Sequence, residues 1–119
     1  MNCKIIVVEN FKSVKMSVSY NFITGRPEDI VSSLRRTVSA LTRNGRQFKV
    51  GITNNPEIRW KSYQNHYEEM LVVYKSSSLK HVRELESALI DHNWEFGDNL
   101  IGGGGGNYGE PPYYLYVVR

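Results

Sequence analysis

From residue 14 to residue 22 the chain alternates strictly. Val14, Met16, Val18, Tyr20 and Phe22 fall on one side, and Lys15, Ser17, Ser19 and Asn21 on the other. Period two sends successive side chains to opposite faces, so this segment predicts a strand with one face buried. The short β-branched run at residues 3–8 predicts a strand before it, with a turn at 10–13 between the two. Pro27, Glu28 and Asp29 then open a helix. Proline suits the first helical turn, and acids suit the positive end of the helix dipole. Ile30, Val31, Leu34, Val38 and Leu41 follow at helical spacing, and Asn44-Gly45 is a C-terminal stop. The same Asn44-Gly45 pair also fits a hairpin turn after a strand at 37–41; the helix is the preferred reading.

Beyond it the elements are shorter. Residues 47–53 read as a strand, and Asn55 with Pro56 caps and opens a helix. Trp60, Tyr63 and Tyr67, at spacings of three and four, form its core stripe. Residues 70–74 read as a strand. Residues 79 to about 93 form a helix with Leu79, Val82, Leu85 and Leu89 on one side. Gly102 to Gly106 is a run of five glycines, a loop without regular structure of its own. Pro111 and Pro112 precede a last strand at 114–118. No repeat, linker or second core appears, so residues 1–119 are read as a single domain, with residues 1–45 its N-terminal hairpin and helix.

Composition changes this picture little. Apolar residues make up 40% of the 119 and charged residues 23%, which excludes a disordered chain or a fibre. No apolar run nears the roughly 20 residues of a membrane span, so no membrane partner is expected. Glu9 and Lys12 interrupt the apolar start too early for a signal peptide. Cys3 stands alone, which excludes an internal disulfide and a thiolate-rich zinc site. The expected location is intracellular, cytoplasmic or nuclear, and not secreted.

Charge is more informative in its distribution than in its net value of +3. Residues 35–61 carry seven bases (Arg35, Arg36, Arg43, Arg46, Lys49, Arg59, Lys61) against one acid, Glu57. Residues 68–110 carry eight acids against three bases. A cationic patch beside carboxylates suits a protein that draws in a phosphate backbone and also holds a cation. Charge runs are also commonly solvated faces that cancel across the fold, and on charge alone that reading is preferred.

Two local patterns carry candidate chemistry. Arg59, Tyr63 and His66, at spacings of four and three, share one face of the second helix. Glu86 lies four residues after Val82 and four before Ile90, and so interrupts an apolar stripe. A carboxylate there must be paired, hydrogen-bonded or bound to a metal. The glycine run is not followed by the lysine-serine of a nucleotide-binding P-loop.

Taken together, Val50-Gly51, Thr53-Asn54-Asn55-Pro56 and Arg59 resemble the second motif and following helix of the GIY-YIG nuclease family. Leu85-Glu86 with Leu89-Ile90 resembles that family's glutamate-bearing helix. Asn99, thirteen residues after Glu86, and the glycines behind it match its later asparagine and glycine-rich stretch. The resemblance runs from Phe48 to about Gly106. Where the family has its second-motif tyrosine, this chain offers Lys49 or Phe48, and no glycine-isoleucine-tyrosine sequence lies upstream.

The resemblance implies an α+β fold, a small and mainly antiparallel sheet flanked by helices. It implies a DNA-binding endonuclease, a hydrolase of phosphodiester bonds dependent on Mg²⁺ or another divalent cation. Glu86 would be the metal ligand and Arg59 the phosphate clamp, with Gly51 and Asn99 structural. A tyrosine or a lysine would activate water. Tyr63 is the first local candidate, Lys49 another, and Tyr20, Tyr114 and Tyr116 remain open. Arg43, Arg46, Lys49, Arg59 and Lys61 would face the nucleic acid, with DNA favoured over RNA. Two alternatives stand beside it. One is a degenerate domain of the same kind that binds without cutting. The other is a protein-interaction module using the tyrosine-rich end at 108–116.

Overall fold

The computed structural model describes residues 17–43, 47–93 and 108–119. The elements run β1 (Val18–Ile23), α1 (Pro27–Leu41), β2 (Lys49–Thr53), α2 (Pro56–Tyr63), β3 (Met70–Ser76), α3 (Leu79–Asn93) and β4 (Tyr113–Val118). Among the described residues they form one α+β unit with a four-stranded sheet in the order β1-β3-β4-β2. The expected strand at 3–8, Val14 and Met16, the Asn44-Gly45 stop, Arg46, Asn99 and the glycine run lie outside those residues.

The helices begin as their sequences require. Pro27 is buried at the start of α1 with Glu28 and Asp29 in its first turn, and Leu34 and Val38 point inward. The helix covers 37–41, so the alternative strand there is not formed. Asn55 caps α2, its side chain accepting from the Ile58 N–H at 3.2 Å. The Tyr74 hydroxyl donates to the Gly25 carbonyl at 2.6 Å, fastening the turn between β1 and α1 to the sheet.

The sheet differs from expectation. β3 pairs antiparallel with β4, and β4 antiparallel with β2, but β1 runs parallel to β3. The sheet is therefore mixed. The physical cause is the long return from β1: α1, β2 and α2 intervene before β3, and such a crossover can bring a strand back in the same direction.

Alternate residues of the strands serve two layers. Val50, Ile52, Val73, Leu115 and Val117 join Leu34, Val38, Val82, Leu85 and Leu89 in the larger core, under α1 and α3. Met70, Val72, Tyr116 and Val118 join Trp60 in a smaller core under α2, edged by Tyr63, Tyr67 and Tyr114. The C-terminal residue is tied in from several sides. Arg119 forms a half-buried ion pair with Glu69 at 2.6 Å and donates to the Leu41 carbonyl. No helix among the described residues is long and apolar enough to cross a membrane.

Candidate active site

Gly51 and Tyr116 face each other across β2 and β4. The tyrosine ring lies directly over the glycine: a Cβ built on Gly51 would stand 2.4 Å from the Tyr116 hydroxyl and 2.6 Å from Cζ. No side chain fits in that space, so the glycine is what lets the ring lie flat across β2. Laid in this way, the Tyr116 hydroxyl meets the Tyr63 hydroxyl at 2.9 Å, with ring centres 5.8 Å apart. Tyr63 belongs to α2, and its hydroxyl is thus committed to the site rather than to the core alone. Lys49, half-buried at the start of β2, places its Nζ 5.7 Å from the centre of the Tyr63 ring.

Arg59, exposed on α2 one turn before Tyr63, and Glu86, on α3, both act electrostatically on the Tyr116 hydroxyl. The same two charges act on Tyr108, which stands just before β4. Among the described residues the direct polar partner of the Tyr116 hydroxyl is Tyr63; Arg59 of α2 and Glu86 of α3 bear on it through their fields. Burial, then the hydrogen bond with Tyr63, hold the Tyr116 phenol well above its ordinary pKa, with Glu86 adding to the effect and Arg59 opposing it. Its proton stays on at neutral pH.

Glu86 is only 5% exposed. Among the described residues it has no ion pair and no hydrogen-bond partner; Arg83, one turn earlier, is the charge that favours its ionised form. Burial prevails and pushes its pKa from 4.5 up to about 7. Its burial agrees with its place between Val82 and Ile90, an interruption of an apolar stripe; the salt bridge or hydrogen bond that such a place favours is not found among the described residues.

That donor set can be tested against a metal. Among the described residues no three His, Cys, Asp or Glu side chains gather. The single buried carboxylate among them, Glu86, fits Mg²⁺, which keeps several waters and is held by one or two carboxylates together with substrate phosphates.

Beside Arg59 lies a cleft of about 420 Å³ lined by Thr53, Asn54, Asn55, Ile58, Arg59 and Ser62. Asn54 closes one side by donating to the Glu110 carbonyl at 3.1 Å. The cleft runs from the turn after β2 onto the first turns of α2.

Several expected groupings are not formed. His66 leaves the face shared by Arg59 and Tyr63, because α2 ends at Tyr63 and His66 lies in the turn beyond. Tyr67 is likewise past the helix, although its ring still meets Tyr63 edge-on at 5.7 Å. The described bases of residues 35–61 do not form one patch. Arg35 and Arg36 lie on α1, in the layer opposite α2, and the Arg35 Nε is shielded from solvent. Arg59 and Lys61, two apart on α2, project in different directions. Arg43 lies just beyond α1. A cluster in sequence is divided here because helix and strand alternate through the segment.

Tyr108 entered the sequence reading only as the start of the tyrosine-rich end at 108–116, with no part in the nuclease site. In comparisons with known proteins, no family model, no curated protein and no solved structure matches the chain.

Proposed function

We propose that the protein is a metal-dependent endonuclease of GIY-YIG type that hydrolyses nucleic-acid phosphodiesters, with DNA the favoured substrate. The observation that supports this most strongly is the convergence at Tyr116. Its hydroxyl is bonded to Tyr63 and lies in the fields of the exposed Arg59 and of the buried Glu86, which has no ion-pair partner among the described residues. Arg59 offers a planar fork of donors for a phosphate, and its exposure leaves it open to one. Tyr63 and Tyr116 form a two-hydroxyl chain. Because the Tyr116 phenol resists ionisation, the pair orients the attacking water by hydrogen bonding rather than holding its proton. Lys49, over the Tyr63 ring, adds positive charge at the edge of this pair. Glu86 would hold Mg²⁺, which when bound supplies positive charge for the phosphate and the leaving oxygen. Among the described residues only the field of Arg83 offsets the burial of this carboxylate, so a cation there would relieve a cost of burial.

The test is cleavage of mixed-sequence DNA with and without Mg²⁺. The parent should cleave only with the metal, Arg59→Ala should lose about 10²- to 10³-fold, and Glu86→Gln should lose the Mg²⁺ response. A parent that is inactive with Mg²⁺ and Mn²⁺ on both DNA and RNA overturns the proposal.

One observation favours a second reading, binding without cleavage: the hydroxyl at the centre of the site is held protonated, so it is a poor base. Under that reading the same assay finds salt-sensitive binding and no products.

A further inference from the structure

The sheet face under α2 continues past the candidate site. Three cross-strand rows can be followed on it. The first holds Val18, Met70, Val118 and Lys49; the second Tyr20, Val72, Tyr116 and Gly51; the third Lys75, Tyr114 and Thr53. Trp60 and Tyr63 of α2 pack over the first two. In the third row, Tyr114 lies two residues from Tyr116 on the same strand, and so on the same face. Phe22 and Tyr20 stand beside it: the Tyr114 ring meets Phe22 at 6.5 Å and Tyr20 at 6.3 Å, both edge-on. Lys75 projects among them, its Nζ 5.6 Å from the Phe22 ring centre and 5.7 Å from that of Tyr114.

These rings are not sealed in a core. Tyr20 is 44% exposed, and Phe22, Tyr114 and Lys75 are half-buried. The surface is also continuous with the candidate site in two directions. Tyr114 leads along β4 to Tyr116, and its cross-strand partner Thr53 lines the Arg59 cleft. The Tyr20 hydroxyl donates to Glu57, so that carboxylate is already engaged.

We propose that Tyr20, Phe22 and Tyr114, with Lys75 among them, form a stacking platform for the unpaired bases of single-stranded nucleic acid running past the Tyr63–Tyr116 hydroxyl pair. The inference rests on the nuclease reading and specifies its substrate: a single strand or an unpaired flap rather than a continuous duplex. Aromatic faces take any base, whereas a duplex buries those faces in its own stack. The chemistry selects this occupant over a protein. A cation set among rings beside Arg59 suits a polyanion with π-faces, while the core of a protein interface is depleted of charge.

The test is equilibrium binding in EDTA, so that cleavage plays no part, of a labelled mixed-sequence single-stranded oligonucleotide and of a duplex of equal length. The parent should bind the single strand more tightly. Phe22→Leu and Tyr20→Leu should each weaken single-strand binding about 5- to 100-fold and leave duplex binding within about twofold, since stacking on one base is worth about 1–3 kcal/mol. Lys75→Gln should flatten the salt dependence on the single strand by about 0.7 of a log–log unit. Tyr114→Phe keeps the ring and should bind as the parent does, whereas Tyr114→Leu should not; this pair guards against a change that merely disturbs folding, and each variant's melting temperature is measured alongside.

The platform is overturned if the parent has no preference for the single strand, if the leucine variants bind it as the parent does, or if they lose duplex binding equally. Unchanged single-strand binding by those variants would assign the rings to a protein partner. The two proposals fail separately. A parent that binds single strands through the rings but never cleaves leaves the platform standing without the nuclease. A parent that cleaves with Mg²⁺ while the leucine variants bind normally does the reverse.

Discussion

The two faces of the sheet are made by alternate residues of the same strands, yet they are built for different purposes. Under α1 and α3 the inward residues are aliphatic almost throughout, and two fifteen-residue helices cover them. Under α2 the cover is a single eight-residue helix, the side chains are aromatic and hydroxyl-bearing, and a glycine stands where a Cβ would displace Tyr116. The first face is an aliphatic core; the second carries the Tyr63–Tyr116 hydroxyl pair and borders the Arg59 cleft. Glu86 crosses the division. It rides on α3, within the larger layer, but its charge is felt at Tyr116 on the other face. Thr53 is the other buried polar side chain among the described residues, and it too borders the candidate site.

The sharpest way to break this contrast is to cut into the larger layer. Leu115 is fully buried beneath α1 and α3. Leu115→Ala should cost about 2–5 kcal/mol in denaturant unfolding, by loss of transfer free energy and by the cavity left. A cost below about 1 kcal/mol would show that this layer does not carry the fold.

Glu86 sharpens the contrast from the other side. Its folded pKa of about 7 lies above the ordinary 4.5. Between those values the folded state binds more protons than the unfolded one, so stability falls as pH rises through the window, and the full penalty is present above pH 7. Glu86→Gln removes the titration. It should therefore stabilise the protein by about 2–3 kcal/mol at pH 8, and by much less near pH 4 where the parent's carboxyl is protonated. Mg²⁺ should raise the parent's melting temperature and leave the variant's unchanged. Destabilisation at pH 8 would mean that Glu86 is a structural group.

The smallest effect is expected at the hydroxyl pair. Tyr63→Phe and Tyr116→Phe should each cost about 1 kcal/mol of stability. The double variant should cost less than their sum, because both singles remove the same hydrogen bond. Additive losses in a double-mutant cycle would mean the two hydroxyls do not act as a pair.

Much of the fold is legible without coordinates. The alternation of Val18, Tyr20 and Phe22 marks β1, and the stripes Leu34–Val38 and Val82–Leu85–Leu89 mark α1 and α3, because burial of one face imposes its period on the chain. Pro27 and Pro56 mark helix starts for a local reason, the fixed φ and missing N–H of proline. Arg59 and Tyr63 sit together as their spacing requires. The end of α2 was not legible: Tyr67 continues the helical spacing, but the chain turns after Tyr63. Nor did the described bases at 35–61 become a patch, since proximity in sequence is not proximity in space once helix and strand alternate.

The sequence by itself pointed to most of the helices and strands, to the apolar side of each, and to Glu86 as an interruption of an apolar stripe. These are consequences of local geometry, repeated every two or every 3.6 residues. Only the tertiary structure decided who stands beside whom. It placed the C-terminal β4 between β3 and β2, turned β1 parallel to β3, laid the Tyr116 ring over Gly51, and brought Tyr63, Arg59 and Glu86 to bear on one hydroxyl. The periodicity of a strand states which face is buried but not which strand lies next to it. That choice is made by long-range pairing and register, and the candidate site is a product of that choice.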